Sequence, residues 1–257
     1  MKTRREILKS SLGLAGIIAA GNAPAAVVRS LVAGDGVKYG AEGGDGFPYV
    51  NRGLVGMWDG IESNMSGVLT NIITGNAANI EGDSSYVFED DLIKVTHSDG
   101  GSIYEDIGSL STANVITVEC ACKKLTLSSG WAYGLVVAKN IGLCYSSDGW
   151  ARAGFYLQNR YSQNIISLVP PQTSTAVIYS PFTRGNASMF VNGESRTIPS
   201  SDGGWAQNII LNNRIAIRKY SSGSSAMEFY CLRFYSRALT ADEIAHNYMV
   251  DKERFGL

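Results

Sequence analysis

Three tryptophans stand directly behind turn-forming residues: Ser128-Ser129-Gly130-Trp131, Ser147-Asp148-Gly149-Trp150 and Ser201-Asp202-Gly203-Gly204-Trp205. An indole offers a flat apolar plate for the C–H face of a sugar ring, while a neighbouring carboxylate accepts hydrogen bonds from its hydroxyls. Trp131, Trp150, Trp205, Asp148 and Asp202 are therefore the candidate ligand-binding residues, and a glycan is the ligand class they point to. The competing reading is that the tryptophans close the ends of an apolar core and the glycines only make turns. Trp58, inside Leu54-Val55-Gly56-Met57-Trp58-Asp59, is a core candidate.

Carboxylates are the other residues with chemistry to offer. A retaining glycosidase needs two of them about 5–5.5 Å apart on one face. Glu89-Asp90-Asp91 is the densest acidic run, but neighbours on a strand point to opposite faces, so the run reads as a strand-end turn. No Gly-x-Ser-x-Gly elbow is present, and two histidines, His97 and His246, are too few for a triad or a zinc site. No catalytic residue is nominated, and the chain is expected not to be an enzyme. Asp83, Asp99, Asp148 and Asp202 lie in glycine and serine turns, where an aspartate either satisfies its own backbone or offers oxygen to calcium. Calcium is thus the one cofactor the sequence invites, without a patterned site.

These residues must be positioned by strands. Apolar runs bounded by turn residues recur at 85–89, 92–96, 103–107, 115–123, 133–139, 141–146, 152–158, 165–169, 175–182, 187–192, 195–198, 208–211 and 214–219. About a dozen strands result, the spacing of an antiparallel sandwich. Ile116, Val118, Cys120 and Cys122 alternate with Thr117, Glu119, Ala121 and Lys123, which predicts a strand with one buried face and one wet face. Asn192-Gly193 between two strand-like runs predicts a hairpin with a type I′ turn. Helical patterning is confined to the two ends. Near the C-terminus, Thr240 and Glu243 have capping-box spacing. Ala241, Ile244, Ala245 and Tyr248 then form the expected packing stripe, with Asp242, Glu243, His246 and Asn247 toward water.

At the other end, Thr3-Arg4-Arg5-Glu6-Ile7-Leu8-Lys9 precedes an uncharged, glycine-diluted apolar stretch from Leu12 to Val28, toward the end of which Ala23-Pro24-Ala25 offers a small-residue cleavage site. This resembles a twin-arginine export signal of a bacterial protein, which implies folding before export to the periplasm or cell surface. Asn22, Pro24 and Arg29 interrupt a segment that would need about 20 apolar residues to stay in a membrane, so no stable span is expected. Residues 1–33 form the signal segment, 34–50 a glycine-rich linker and 51–257 one large domain. Without residues 1–25 the chain carries 18 basic and 22 acidic residues, net −4, and has no basic run to release counterions from nucleic acid. Of four cysteines, Cys120 and Cys122 are too close along one strand to bridge without strain; buried thiols are expected, with Cys144 to Cys231 as the alternative bridge.

Three blocks carry a family likeness. Asn51 to Asp59 resembles a "gly-leu-val-x-x-trp" opening strand. Phe190-Val191-Asn192-Gly193 resembles a "tyr-val-asp-gly" hairpin, with phenylalanine and asparagine replacing the tyrosine and aspartate. Met227 to Ile244 resembles a closing aromatic strand and capped helix. Together they are similar to laminin-G-like, concanavalin A-like lectin and glucanase jelly-roll domains. The resemblance implies an all-β antiparallel sandwich with a short C-terminal helix, and many such relatives carry a calcium ion. The strand-borne Glu, Asp and Glu motif of the glucanase members is missing. The expected function is an exported, non-catalytic binding module for glycans, with a surface structural or adhesive protein as the alternative and a glycoside hydrolase or lyase as a third reading.

Overall fold

The computed structural model describes residues 48–97, 101–107, 115–127, 133–137, 142–145, 151–157, 160–168, 173–179, 188–196, 214–219 and 225–257. The elements begin with β1 (Leu54–Asp59), α1 (Gly60–Ser66), β2 (Asn79–Glu81), β3 (Ser84–Glu89), β4 (Leu92–His97), β5 (Ser102–Asp106), β6 (Ile116–Leu127) and β7 (Tyr133–Val137). They continue with β8 (Gly142–Tyr145), β9 (Ala151–Leu157), β10 (Arg160–Leu168), β11 (Thr173–Tyr179), β12 (Ser188–Val191), β13 (Glu194–Arg196), β14 (Arg214–Lys219), β15 (Ser225–Tyr235) and α2 (Ala241–Phe255). The expected run at 208–211 lies outside the described residues, as do Asp99 and the whole signal and linker up to residue 47.

Two antiparallel sheets make up the compact unit Gly53–Leu257. The first runs β13-β12-β11-β6-β15-β4-β3, with β1 also paired to β15; the second runs β10-β9-β8-β7-β14-β5-β2. The aromatic closing strand β15 is the keystone of the first sheet. β6 pairs along its length, β4 takes Ser225 to Phe229 on the other edge, and β1 takes Cys231 to Tyr235. The expected all-β sandwich with a C-terminal helix is what forms.

The core lies between the sheets. Trp58 and Phe234 meet edge to face at 6.2 Å, and Trp58 is fully buried as expected. Gly56 permits the approach of β1 to the second sheet, since a Cβ there would stand 2.8 Å from Ile107 Cδ1 and 3.0 Å from Ile215 Cδ1. Ile93, Val95, Ile103, Val118, Phe229 and Leu232 fill the same layer.

Several expected local features form. Asn192 and Gly193 both adopt positive φ, 53° and 77°, and join β12 to β13 as the hairpin required. Asp90, at φ 58°, and Asp91 make the two-residue turn between β3 and β4, so the acidic run is a strand end. Thr240 caps α2 in a reciprocal box with Glu243, whose carboxylate is also gripped by both terminal nitrogens of Arg237 at 2.7 and 2.8 Å.

Three expectations are corrected. Over Ile116 to Cys122, β6 has no wet face: Thr117, Glu119 and Ala121 are as buried as Val118 and Cys120, because α2 lies over the outer side of the first sheet, and Lys123 is half-buried. The buried stripe of α2 is Ile244, Asn247, Val250, Asp251 and Phe255, so Asn247 faces the sheet while Ala241 is exposed. Helix is also not confined to the chain ends. The seven-residue α1 starts where Asp59 accepts from the backbone of Ile61 and Glu62, and it ends at Gly67 in the left-handed region. It packs so closely on the β3–β4 turn that a Cβ on Gly60 would stand on the Asp91 carbonyl oxygen. Cys120, Cys122 and Cys231 are buried thiols; burial pushes the Cys231 thiol well up, which keeps it protonated.

Candidate functional site

Trp131, Trp150, Trp205, Asp148 and Asp202 all lie outside the described residues. Asp83 is exposed in the bend before β3, and among the described residues no three histidine, cysteine, aspartate or glutamate side chains converge as a metal site. Two polar constellations that sequence reasoning missed do stand in the described structure, one on the outer side of each sheet.

The first is sealed. Arg233 on β15 and Glu119 on β6 are register partners, and both are buried beneath α2. Arg233 donates from Nη1 and Nη2 to the two oxygens of Asp251 at 2.6 and 2.7 Å, and from Nε to Glu119 at 2.7 Å. Asn247 donates to Glu119 at 2.8 Å and to the Tyr235 hydroxyl at 3.0 Å, while Ser174 donates to Asp251 at 2.8 Å. A β-bulge contributes, since Tyr230 and Cys231 stand against one residue of β6, which places Tyr230 to stack on Phe255 of α2 at 4.8 Å. Burial raises the Glu119 carboxyl above its ordinary value, Arg233 opposing. Burial would lower Arg233, but Asp251 and Glu119 together hold it well above its ordinary value. Two carboxylates share one guanidinium: Asp251 takes the bidentate grip and Glu119 is left with a single arginine donor. These side chains are buried, and their hydrogen bonds tie α2 to the first sheet. Its signal in the sequence was a lone charge of opposite sign inside each of two apolar runs, Val118 to Cys122 and Phe229 to Tyr235.

The second constellation is accessible. On the outer side of the second sheet, the Arg214 guanidinium lies 3.7 Å over the Tyr104 ring. Its Nε donates to Asp106 at 3.0 Å, and Nη1 stands 3.5 Å from Glu81. The Asp106 hydrogen bond, against a smaller cost of burial, raises the arginine further. Glu81 is itself held by the buried Ser102 hydroxyl at 3.1 Å. Pairing of β14 with β5 and of β2 with β5 brings these residues together from three separate stretches of chain. The result is a guanidinium lying over an aromatic ring with two carboxylates beside it.

Register places glycines beside this ring. One row across the second sheet reads Asn79, Tyr104, Ala216, Val136, Gly142; the next reads Glu81, Ser102, Arg218, Gly134, Cys144, Gly154. Three glycines therefore lie on the same side of β7, β8 and β9 as Tyr104. Ala216, between ring and glycines, is 4% exposed.

No family model matches the sequence, and no curated protein matches it. Solved structures do. Botulinum neurotoxin type C, whose cell entry depends on interaction with two ganglioside molecules, superposes with a TM-score of 0.54 at 14% identity, over 77% of this chain and 51% of that one. The binding domain of botulinum neurotoxin DC in complex with rat synaptotagmin II gives 0.54 at 11% identity, over 77% and 51%. The same binding domain in complex with SialylT gives 0.52 at 12%, over 77% and 51%. The likeness is one of fold, a β-sandwich found in binding domains, and this chain spans about half the length of the chains it matches. Among the described residues no helix is long and apolar enough to cross a membrane.

Proposed function

We propose that this chain is an exported, non-catalytic binding module that recognises carbohydrate. The observation that carries this reading is the contrast between the two outer faces. One is closed by α2 over a buried ionic cluster. The other carries an accessible arginine fork, laid over the Tyr104 ring, and two carboxylates already in place, donors and acceptors of the kind that read sugar hydroxyls. The neurotoxin domains of the same fold, with gangliosides and SialylT named as their ligands, favour the same class of partner. The twin-arginine resemblance supports export, and buried thiols that need no oxidation suit a chain folded before it leaves the cytoplasm. A broad glycan array probed with the full chain tests this, run with calcium, with chelator, and with a Trp150→Ala/Trp205→Ala variant. Binding to a defined glycan set is expected. Loss in the variant assigns the tryptophan loops a share, and loss with chelator assigns one to calcium.

A second reading, a surface component that binds proteins, is favoured by one observation. Val87 on the edge strand β3 and Ile80 on the edge strand β2 are 52% and 51% exposed, an unusual placement for large aliphatics on unpaired edges. A folded protein that binds no glycan on the array would move the assignment to this reading.

A further inference from the structure

We propose that β3 is a self-pairing edge: the strand Ser84–Glu89 of one copy of this chain adds antiparallel to the same strand of a second copy, about a two-fold axis at Val87, and joins their first sheets. The proposal stands apart from the carbohydrate reading and gives the exposed Val87 an occupant.

An open sheet has ends, and folded proteins protect such ends with short strands, charges, bulges or a covering segment. The other edges here carry such devices. β13 and β2 are three residues long, and β13 is charged at both ends, Glu194 against Arg196. β10 shifts register against β9 between Ser162 and Ile166. The free side of β1 is covered, since Met57 donates to the Asn71 side chain and accepts from Ile72. β3 has none of these. It keeps unbroken register with β4 over its six residues, holds no proline, and carries no charge before Glu89.

Its backbone is ready to pair. Asp90 and Asp91 form a two-residue turn, so Glu89 and Leu92 are a hydrogen-bonded pair and the pattern alternates from there. Ser85 and Val87 therefore bond to β4, while Tyr86 and Phe88 turn their N–H and C=O outward. Among the described residues nothing bonds to those outward groups.

The side chains select the partner. Tyr86 and Phe88 share the inner side with Val95 and Ile93, are half-buried, and hold their rings 5.4 Å apart. The Leu69 N–H donates to the Tyr86 hydroxyl at 3.3 Å and fixes that ring. Val87 is exposed on the outer side. Ser85-Tyr86-Val87-Phe88-Glu89 reads alike in both directions about Val87: polar, aromatic, aliphatic, aromatic, polar. A two-fold interface requires self-complementarity of this kind. Centred on Val87, Tyr86 stands opposite Phe88 of the second copy, Val87 opposite Val87, and Ser85 opposite Glu89, so no carboxylate of the strand faces another. A slip of one residue would set outer side chains against inner ones, and a slip of two would set Val87 against Ser85 or Glu89.

The test is sedimentation velocity of the full chain, with disulfide trapping. A reversible dimer is expected in the micromolar to submillimolar range, and it should tighten as salt is raised, because Glu89 and Asp90 of both copies gather at the margins of an apolar seam and salt screens their repulsion. Val87→Lys is expected to weaken the dimer by at least about tenfold, since it sets like charges opposite each other on the axis. Val87→Cys is expected to give a disulfide-linked dimer on mild oxidation, since Val87 and its counterpart form a non-hydrogen-bonded pair with Cα atoms about 4.5 Å apart, within disulfide reach. Ser85→Cys should not, its counterpart standing about 13 Å away along the strands. The parent chain, whose described thiols are buried, should not either. Thermal unfolding shows that each variant is folded. A folded parent chain that stays monomeric overturns the proposal and leaves the edge to a strand of a different protein. An undiminished dimer in Val87→Lys overturns the location, and trapping of Ser85→Cys as readily as Val87→Cys overturns the register. None of these outcomes touches the carbohydrate reading, which the glycan array decides.

Discussion

Arg233 holds a charge in a place where charge is expensive. Buried ion pairs typically return little net stability, yet stranding one member costs about 3–5 kcal/mol because the remaining charge is left without a partner. Asp251→Ala removes the bidentate acceptor of Arg233, so chemical denaturation should show a loss of that size. Replacing Glu119, Arg233 and Asp251 together by apolar residues of similar volume should cost far less and can stabilise. The same cluster sets a pH dependence. Glu119 binds its proton more tightly folded than unfolded, because burial raises its carboxyl; its contribution is complete below the ordinary glutamate range and is lost as pH rises through the raised value. Glu62 shifts in the same direction, through burial and then the neighbouring Asp59. Glu243, lowered chiefly by its hydrogen bond from Arg237, works the opposite way, its contribution lost on acidification. Denaturation midpoints from the ordinary glutamate range to neutrality should therefore fall less in Glu119→Gln than in the parent chain.

At the scale of elements, α2 is the lid that closes the first sheet, and the blocks that carry the family likeness converge on it. Gly53, at φ 78°, lies against Arg237, which grips the capping residue Glu243. Gly193 of the hairpin turn lies against Tyr248, where a Cβ would come within 3.0 Å of Cδ1. Arg254 donates to Asp59 at 2.7 Å, joining the end of β1 to the helix. Thr240→Ala, which removes one half of the capping box, should cost about 1 kcal/mol, read from the denaturation midpoint. Gly60→Ala should cost about 1–3 kcal/mol, since the added methyl group must displace the Asp91 backbone. The elements with a local signal were legible in the sequence: the Asn192-Gly193 turn, the capping box, and strands with turn residues at both ends. α1 was not, because seven residues, Gly60 to Ser66, are too short to show a helical period and the signal is a single capping aspartate. The two-sided burial of β6 was also hidden. Alternation reports polarity, and Glu119 is polar yet satisfied by partners that arrive from β15 and from α2, far along the chain.

Across the whole molecule, α2 closes the outer side of the first sheet over a buried ionic cluster, while Arg214, Asp106 and Glu81 stand accessible on the outer side of the second. The accessible constellation was not legible in the sequence for the same reason that it is well positioned. Tyr104 and Arg214 are separated by more than a hundred residues and become neighbours only when β14 pairs with β5; the glycine rows align only through the register of β7, β8 and β9. The tryptophan loops were conspicuous because each is a short contiguous motif. The most direct measurement is amide hydrogen exchange of the full chain, with and without a saturating oligosaccharide taken from the glycan array. The account predicts slowed exchange in β5 and β14, at Ser102–Asp106 and Arg214–Lys219, with α2 and β6 unchanged. Protection confined to α2, β6 or the edge strand β3 would contradict it.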